Sequence, residues 1–275
     1  MAVRYNAMTE HVHHTPRFGA LIIGDELLTG RRQDRHMEAV IERLDARGLE
    51  LSWARLIGDD PQLLTRTLRE TFAGGDIVFS FGGIGATPDD RTRQCCAEAV
   101  GQPLERHPEA EAAMREQFGV DATAQRLRMV EFPAGSWMIP NPINRVAGFS
   151  WGDHHFVPGF PRMAWPMIEW VLDTHYAHLQ APGRMLQRAV RVPGAREGAM
   201  IPLLERFTEA YPDLRISCLP GGDRQRGFEV ELGVRGTAPR ATEALEALTR
   251  ELEAAGYRWE PVAGATPGDG NGPTP

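Results

Sequence analysis

The sequence predicts an α/β protein, with a mostly parallel sheet covered by helices on both faces and then a small split α/β module. Three observations carry this reading. Short apolar runs near 18–23, 49–57 and 77–81 alternate with stretches of helical periodicity over short links, which is the pattern of a parallel sheet. Each of these runs breaks into a glycine followed by acidic residues or more glycines. Past Ala181-Pro182-Gly183 the order of elements changes to β-α-β-β-α, the outline of a KH-like or ferredoxin-like unit.

The elements follow in order. Phe18–Ile23 reads as a buried strand that ends in the loop Gly24-Asp25-Glu26-Leu27-Leu28-Thr29-Gly30. Met37, Val40, Ile41 and Leu44 share a helix face, and Gly48 stops that helix. Leu49, Leu51 and Trp53 alternate as a strand running on to Ile57. Gly58-Asp59-Asp60-Pro61 supplies a loop, an N-cap and a first-turn proline, and Leu63, Leu64, Leu68 and Phe72 line the helix that ends at Gly74-Gly75. The strand Ile77–Phe81 is followed by a helix predicted over Thr87–Val100. Glu109–Phe118 and Asp121–Glu131 read as helices, 137–139, 148–151 and 155–157 as short strands, and Pro161–Leu179 as a long helix. The second module is predicted as strand 185–192, helix 200–211, strands 214–219 and 228–234, and helix 241–256. Its turn Pro220-Gly221-Gly222-Asp223 is acidic and does not resemble an RNA-clamping loop. The expected domains are thus 17–182 and 183–261, between tails expected to be disordered at 1–16 and 262–275.

Composition narrows the function. A net charge of −7 argues against a general nucleic-acid or membrane-surface binder. No apolar run is long enough to span a bilayer and no secretory leader is visible, so a cytoplasmic protein is expected. Cys95, Cys96 and Cys218 have no metal-site spacing and read as small core residues in a reducing compartment. All 30 basic residues are arginine. Walker A loops, protein-kinase sites and lysine Schiff bases are excluded, and any cation at a phosphate must be Arg, His⁺ or a metal.

The segment Gly82-Gly83-Ile84-Gly85-Ala86-Thr87-Pro88-Asp89-Asp90 carries the most chemistry. Glycines let backbone N–H groups approach a ligand, and the C-terminal edge of a parallel sheet is where such folds bind anions. Asp89 and Asp90 would repel a phosphate unless a divalent cation lay between them. The same residues also read as local structure, with Thr87 capping a helix, Pro88 in its first turn and Asp90 closing a capping box. Gly24-Asp25-Glu26 and Gly58-Asp59-Asp60 are expected on the same sheet edge, so that three loops converge.

Together these three loops resemble the molybdopterin-binding-domain superfamily, and most of all the competence/damage-inducible (CinA) family. Asn141-Pro142 and Pro158-Gly159-Phe160-Pro161 resemble that family's later loops, so the likeness covers about residues 17–180 and the small module after them. It implies a three-layer α/β/α fold, usually in a homo-oligomer, with a dimer favoured here. It also implies a ligand that is molybdopterin or an ADP-ribose-like dinucleotide, the latter hydrolysed with Mg²⁺, Mn²⁺ or Co²⁺. Carried over by position, Gly24, Asp25, Gly82, Gly83, Gly85, Thr87, His36 and Asn141 would bind the ligand. Asp90, Asp59 and Glu26 would be catalytic, and Asp90, Asp89 and Asp25 would hold the metal. Departures from the family pattern fall at Ala86 (usually Pro), His36 (usually Asn), Asn144 to Gly148, and Arg162-Met163, where a glutamate is missing. They bear on ligand identity more than on fold. The deamidation of nicotinamide mononucleotide, which belongs to a further domain of full-length CinA proteins, is not expected of these residues.

Three functions follow. The leading one is a metal-dependent nucleotide pyrophosphatase, with arginines such as Arg31, Arg32 and Arg91 offsetting developing charge. The alternatives are a non-catalytic molybdopterin or nucleotide binder, and an interaction module whose pocket has degenerated. The helix carrying Trp165, Met167, Ile168, Trp170 and Val171 supplies either a symmetric interface or core.

Overall fold

The computed structural model describes residues 17–183, 185–223 and 227–262. The predicted tails therefore lie outside the described residues, save for Val262. The chain forms two compact units, one of residues 17–37 and 51–172, the other of 38–50 and 173–262.

The first unit holds β1 (Phe18–Ile23), α1 (Asp25–Leu28), the start of α2 (His36–Asp45), β2 (Leu51–Ile57), α3 (Pro61–Gly74), β3 (Ile77–Phe81) and α4 (Thr92–Val100). It continues with β4 (Leu104–Arg106), α5 (Pro108–Phe118), α6 (Ala124–Leu127), β5 (Glu131–Pro133), β6 (Trp137–Ile139), β7 (Gly148–Trp151), β8 (His154–Val157) and most of α7 (Pro161–His175). The main sheet runs β2-β1-β3-β8-β7-β6, with the first four strands parallel and β7 antiparallel to both its neighbours, β8 and β6. Strands β1 and β3 are buried along their whole length, as strands covered on both faces must be. Leu21, Val78, Phe149, Phe156 and the inward face of α3 (Leu64, Leu68) form one core.

Register places the site. Ile23 pairs with Ile57, Ile22 with Phe81, and Phe81 with Val157, so four parallel strands end together. Gly24, Gly58, Gly82 and Pro158-Gly159 therefore leave the sheet at one edge. Backbone bonds tie these exits: Gly24 N–H donates to Ile57 O (3.0 Å) and Gly82 N–H to Val157 O (3.1 Å).

Several expectations are corrected. The loop after β1 contains the single turn α1. Helix α4 begins at Thr92 rather than Thr87, because Thr87 and Asp90 close a turn on each other first. The helix predicted over 121–131 is only the turn α6, capped by Thr123 Oγ1, and Glu131–Pro133 instead pairs with Leu104–Arg106 as β5 with β4. Helix α7 ends at His175, before a 3₁₀ turn over Ala177–Leu179. Within α7, Met167, Ile168 and Val171 are buried core residues, while Trp165 and Trp170 are half-buried.

The second unit contains the rest of α2 and β9 (Met185–Pro193), α8 (Glu197–Ala210), β10 (Arg215–Asp223), β11 (Gly227–Thr237), α9 (Ala238–Ala254) and β12 (Glu260–Pro261). Its antiparallel sheet, ordered β10-β11-β9-β12, is that of a βαββαβ split unit, the ferredoxin-like arrangement. Pro220 to Asp223, read as a turn, belongs to β10, paired with β11 out to Asp223 opposite Gly227. Val190, Val192, Phe207, Val230 and Leu248 lie in a separate core.

Candidate functional site

A cavity of about 510 Å³ opens where the parallel strands end. Four carboxylates line it: Glu26 from the β1 exit, Asp59 from the β2 exit, and Asp89 and Asp90 from the β3 exit. Gly24, Gly82, Gly83, Gly85, Thr87 and Asn144 share the wall, with Arg32 and Arg126 as its cations. The loops predicted to converge do so.

The β1 and β2 exits are laced together by their acids. Asp25 N–H donates to Asp59 Oδ2 (2.9 Å), and Asp59 N–H donates to Asp25 Oδ1 (3.1 Å). A Cβ on Gly58 would meet Asp25 Oδ1 at 2.4 Å, so glycine is what lets that carboxylate fold over the loop. Burial pushes the Asp59 carboxyl above its ordinary range; the Asp25 N–H opposes this, while the charges of Asp25, Glu26 and Asp89 add to it. Asp25 itself is exposed and does not line the cavity.

The β3 exit is self-locked. Asp90 Oδ2 accepts both the N–H (2.9 Å) and the hydroxyl (2.5 Å) of Thr87, and Asp90 N–H returns to Thr87 O (3.0 Å). This is the backward half of a capping box with no helix after it. The helix proper is tied on further along, where Thr92 N–H reaches Gly83 O (2.9 Å) and Thr92 Oγ1 reaches Gly82 O (3.0 Å). The Thr87 hydroxyl also holds the exposed Asp89 carboxyl below its ordinary range.

The glycines serve the protein's own packing more than close approach by a ligand. An added Cβ would meet Ile23 O at 2.4 Å from Gly82, Thr92 Oγ1 at 2.1 Å from Gly83, and Asp90 Oδ2 at 2.4 Å from Gly85. Gly82 and Gly83 also have φ of 103° and 68°, the left-handed side that side chains avoid.

Two predicted binders turn inward. Buried Asn141 gives its amide N–H groups to Asn144 Oδ1 (2.8 Å) and Val146 O (2.9 Å), and its Oδ1 accepts Ile143 N–H (3.0 Å). It locks the loop and lines a different cavity, while Asn144 faces the central one. His36 is buried, stacked on Phe81 at 4.4 Å between ring centroids. Its Nε2–H donates to Gly159 O (3.2 Å), which leaves Nδ1 the unprotonated nitrogen; burial pushes the imidazole below its ordinary range. Through this bond the ring braces the β8 exit.

Asp25, Asp89 and Asp90 do not gather as the expected metal set. Among the described residues no three His, Cys, Asp or Glu side chains stand close enough to share an ion. Of the arginines anticipated, Arg32 lines the cavity, whereas Arg91 Nε is engaged by Pro88 O (2.7 Å).

Sequence reasoning missed Arg93 and Arg126. Arg93 is buried behind the loop, donating to Gly85 O (2.6 Å) and to Arg128 O. Burial pulls its guanidinium down, and Asp90 and Glu131 oppose the shift. The signal was its place three residues after Asp90, in the first turn of α4. Arg126 gave no such signal, because only the chain path around α5 and α6 carries it to the cavity.

Residues 19–178 match the family model described as a probable molybdopterin binding domain. A CinA-like protein of Anaeromyxobacter sp. (strain K) is 34% identical over 195 residues, covering 67% of this chain and 48% of the relative. A protein of Pyrobaculum calidifontis is 26% identical over 240 residues, covering 85% of this chain and 92% of the relative. The crystal structure of the protein CinA from Thermoplasma acidophilum, described as of unknown function, superposes with a TM-score of 0.53 at 26% identity, over 57% of this chain and 96% of that one. The chain spans about half the length of the CinA-like relatives it matches. It belongs to the molybdopterin-binding-domain family and, within that family, to the CinA-like proteins.

Proposed function

We propose that the cavity at the sheet edge binds a phosphorylated small molecule and hydrolyses the pyrophosphate of ADP-ribose or a similar nucleotide with the help of a divalent cation. One observation carries this reading: Glu26, Asp59, Asp89 and Asp90 line a single cavity at the C-terminal ends of parallel strands, where burial first and the charges of Asp25, Glu26 and Asp89 after it push Asp59 up. Acids placed together at such a cost suit a site that receives positive charge.

The donor chemistry fits a hard cation, but not a cage of three carboxylates. It fits an ion of the Mg²⁺ class, which keeps one or two carboxylates and fills its shell with phosphate oxygens and water. Asp59 and Asp89, whose charges act on one another, are the residues that would hold it. When bound, such an ion neutralises pyrophosphate charge and lowers the pKa of a water. The remaining work falls to the chain. Thr87 holds Asp90 in one orientation through Oδ2, which leaves Oδ1 to take a proton from the attacking water. Arg32 and Arg126 offset charge on the departing phosphate, a part no lysine can play here.

A second reading rests on the apolar part of the wall. Ile84, Phe118, Met129, Phe160 and Met163 suit a flat heterocycle. Molybdopterin held without turnover would use the same carboxylates for its N–H groups. A homo-oligomer belongs with either reading.

The test is chromatography of ADP-ribose, FAD and NAD after incubation with the protein, with and without Mg²⁺, Mn²⁺ or Co²⁺, beside Asp90→Ala. Metal-dependent release of AMP by the wild type alone supports hydrolysis. Intact nucleotides throughout, with thermal stabilisation by molybdopterin, support the binding role.

A further inference from the structure

The central cavity offers a ligand few side chains that can hydrogen-bond. Besides its four carboxylates and two arginines, only Thr87 and Asn144 among the lining residues carry polar side chains, and both are neutral. Thr87 donates its hydroxyl to Asp90 Oδ2 (2.5 Å). Asn144 is therefore the one neutral side-chain donor of the wall that the protein has not already spent.

Only one end of that amide is open. Asn144 Oδ1 accepts the Val146 N–H (3.1 Å) and an Asn141 Nδ2–H (2.8 Å), so both of its lone pairs are used. Asn141 is set the same way round by its own Oδ1, which takes the Ile143 N–H (3.0 Å). Either bond to Asn144 keeps its oxygen turned into the loop. Asn144 Nδ2 carries two hydrogens and meets one acceptor among the described residues, Met163 Sδ at 3.1 Å. A thioether accepts weakly, so the amide keeps a strong donor at the wall.

The backbone holds this arrangement against its own preference. Arg145, between Asn144 and Val146, is the one non-glycine with positive φ (56°) among the described residues. Its N–H is bonded to Asn141 O (3.1 Å) and its guanidinium to Glu116. Such a conformation persists where the surrounding bonds impose it. Met163, which the amide touches, belongs with Phe160, Met129 and Phe118 to the apolar part of the wall. A ring resting on apolar side chains is fixed in orientation by the few polar groups set among them.

We infer that Asn144 is a specificity-determining residue, which donates through Nδ2 to an acceptor on the ligand's heterocycle, a ring nitrogen or a ring carbonyl oxygen. Its own oxygen being spent, it offers nothing to a ring amine at that place. This rests on the reading that the central cavity takes a phosphorylated ligand that bears a heterocycle.

The experiment measures two non-cleavable probes by calorimetry in excess Mg²⁺: α,β-methylene-ADP, whose adenine has acceptor ring nitrogens, and methylenediphosphonate, which has no ring. The proteins are wild type, Asn144→Ala and Asn144→Asp. The quantity read is the ratio of the two affinities, in which any effect on the phosphates alone cancels. The wild type is expected to favour the ring-bearing probe by about tenfold or more. Asn144→Ala should lower that ratio by roughly five- to tenfold, as for loss of one hydrogen bond. Asn144→Asp still accepts from Asn141 and Val146, so the loop stays locked, but it sets an oxygen where the donor stood. Its ratio should fall below that of Asn144→Ala, because two acceptors then face each other. A ratio for Asn144→Asp at or above that of Asn144→Ala overturns the inference. So do variants that weaken both probes alike, or a wild type that binds both equally. Each of these leaves the phosphate-binding reading standing. Failure of the wild type to bind either probe removes that reading and this inference with it.

Discussion

Asp25 and Asp59 each accept the other's backbone N–H, at 3.1 and 2.9 Å. The bonds join the exits of β1 and β2, yet they bring two like charges together beside Glu26 and Asp89. Asp59, whose carboxyl is raised by burial and these neighbours, carries the strain. A raised carboxyl stabilises the fold most when protonated, and that contribution is lost as pH rises through its folded pKa. Asp59→Asn keeps an oxygen for the Asp25 N–H and removes the charge. It is expected to be as stable as the wild type or more so at pH 7. Asp59→Ala should lose about 1 kcal/mol with the hydrogen bond. Urea denaturation distinguishes them, and both should lose the metal-dependent hydrolysis proposed above.

Replacing Gly82 by alanine sets a Cβ against the Ile23 carbonyl at a φ of 103°. Neither backbone can yield without breaking the sheet edge. A loss of about 2–4 kcal/mol is expected, read as a lower urea midpoint. An unchanged midpoint would mean the loop packs differently from this description.

Asn141→Ala separates loop-locking from ligand contact. Three internal hydrogen bonds of a buried side chain disappear. Stability should fall by about 2–3 kcal/mol. At a temperature where the variant remains folded, KM should stay within about threefold of wild type. A large rise in KM without loss of stability would restore Asn141 to the ligand.

Acid should unfold the first unit through His154. This ring lies in the core, with Nε2 against Thr71 Oγ1 (2.9 Å) and its face on Phe72, and burial pushes its pKa down to about 3. Above the ordinary histidine value of about 6.5 the ring is neutral in both states and the fold is fully stable. Below it the unfolded chain takes up a proton that the folded chain refuses, so stability falls from about pH 6.5 towards about pH 3, by at most about 5 kcal/mol. His154→Gln, which removes the titration, should flatten that decline in urea titrations between pH 7 and 4. An equally steep profile would place the acid sensitivity elsewhere.

Much of this was legible one residue at a time. Alternation and helical spacing located β1, α3, β3, β7 and β8 within a residue or two, because β1 and β3 are buried on both faces and α3 on one. The acids of the site were legible too, since they follow closely on strand ends. What misled was local ambiguity. Thr87-Pro88-Asp89-Asp90 carries the chemistry of a helix start, but Thr87 and Asp90 close a turn on each other and the bonds of Thr92 to Gly82 and Gly83 set the helix further on. Asn141 has the composition of a binder, but its loop needed those hydrogen bonds first.

The sequence by itself determined the alternation of strands and helices, the absence of lysine chemistry, and the edge at which carboxylates would gather. These are properties of periodicity and of residue type, which neighbours along the chain suffice to express. The tertiary structure alone decided which atoms of those residues remain free. Asp25 bonds to Asp59 across 34 positions of chain, His36 to Gly159 across 123, and Arg126 reaches the cavity from a turn with no motif. A hydrogen bond or an unpaired charge depends on separations of about 3 Å between groups far apart in sequence, and only the packed chain sets those distances.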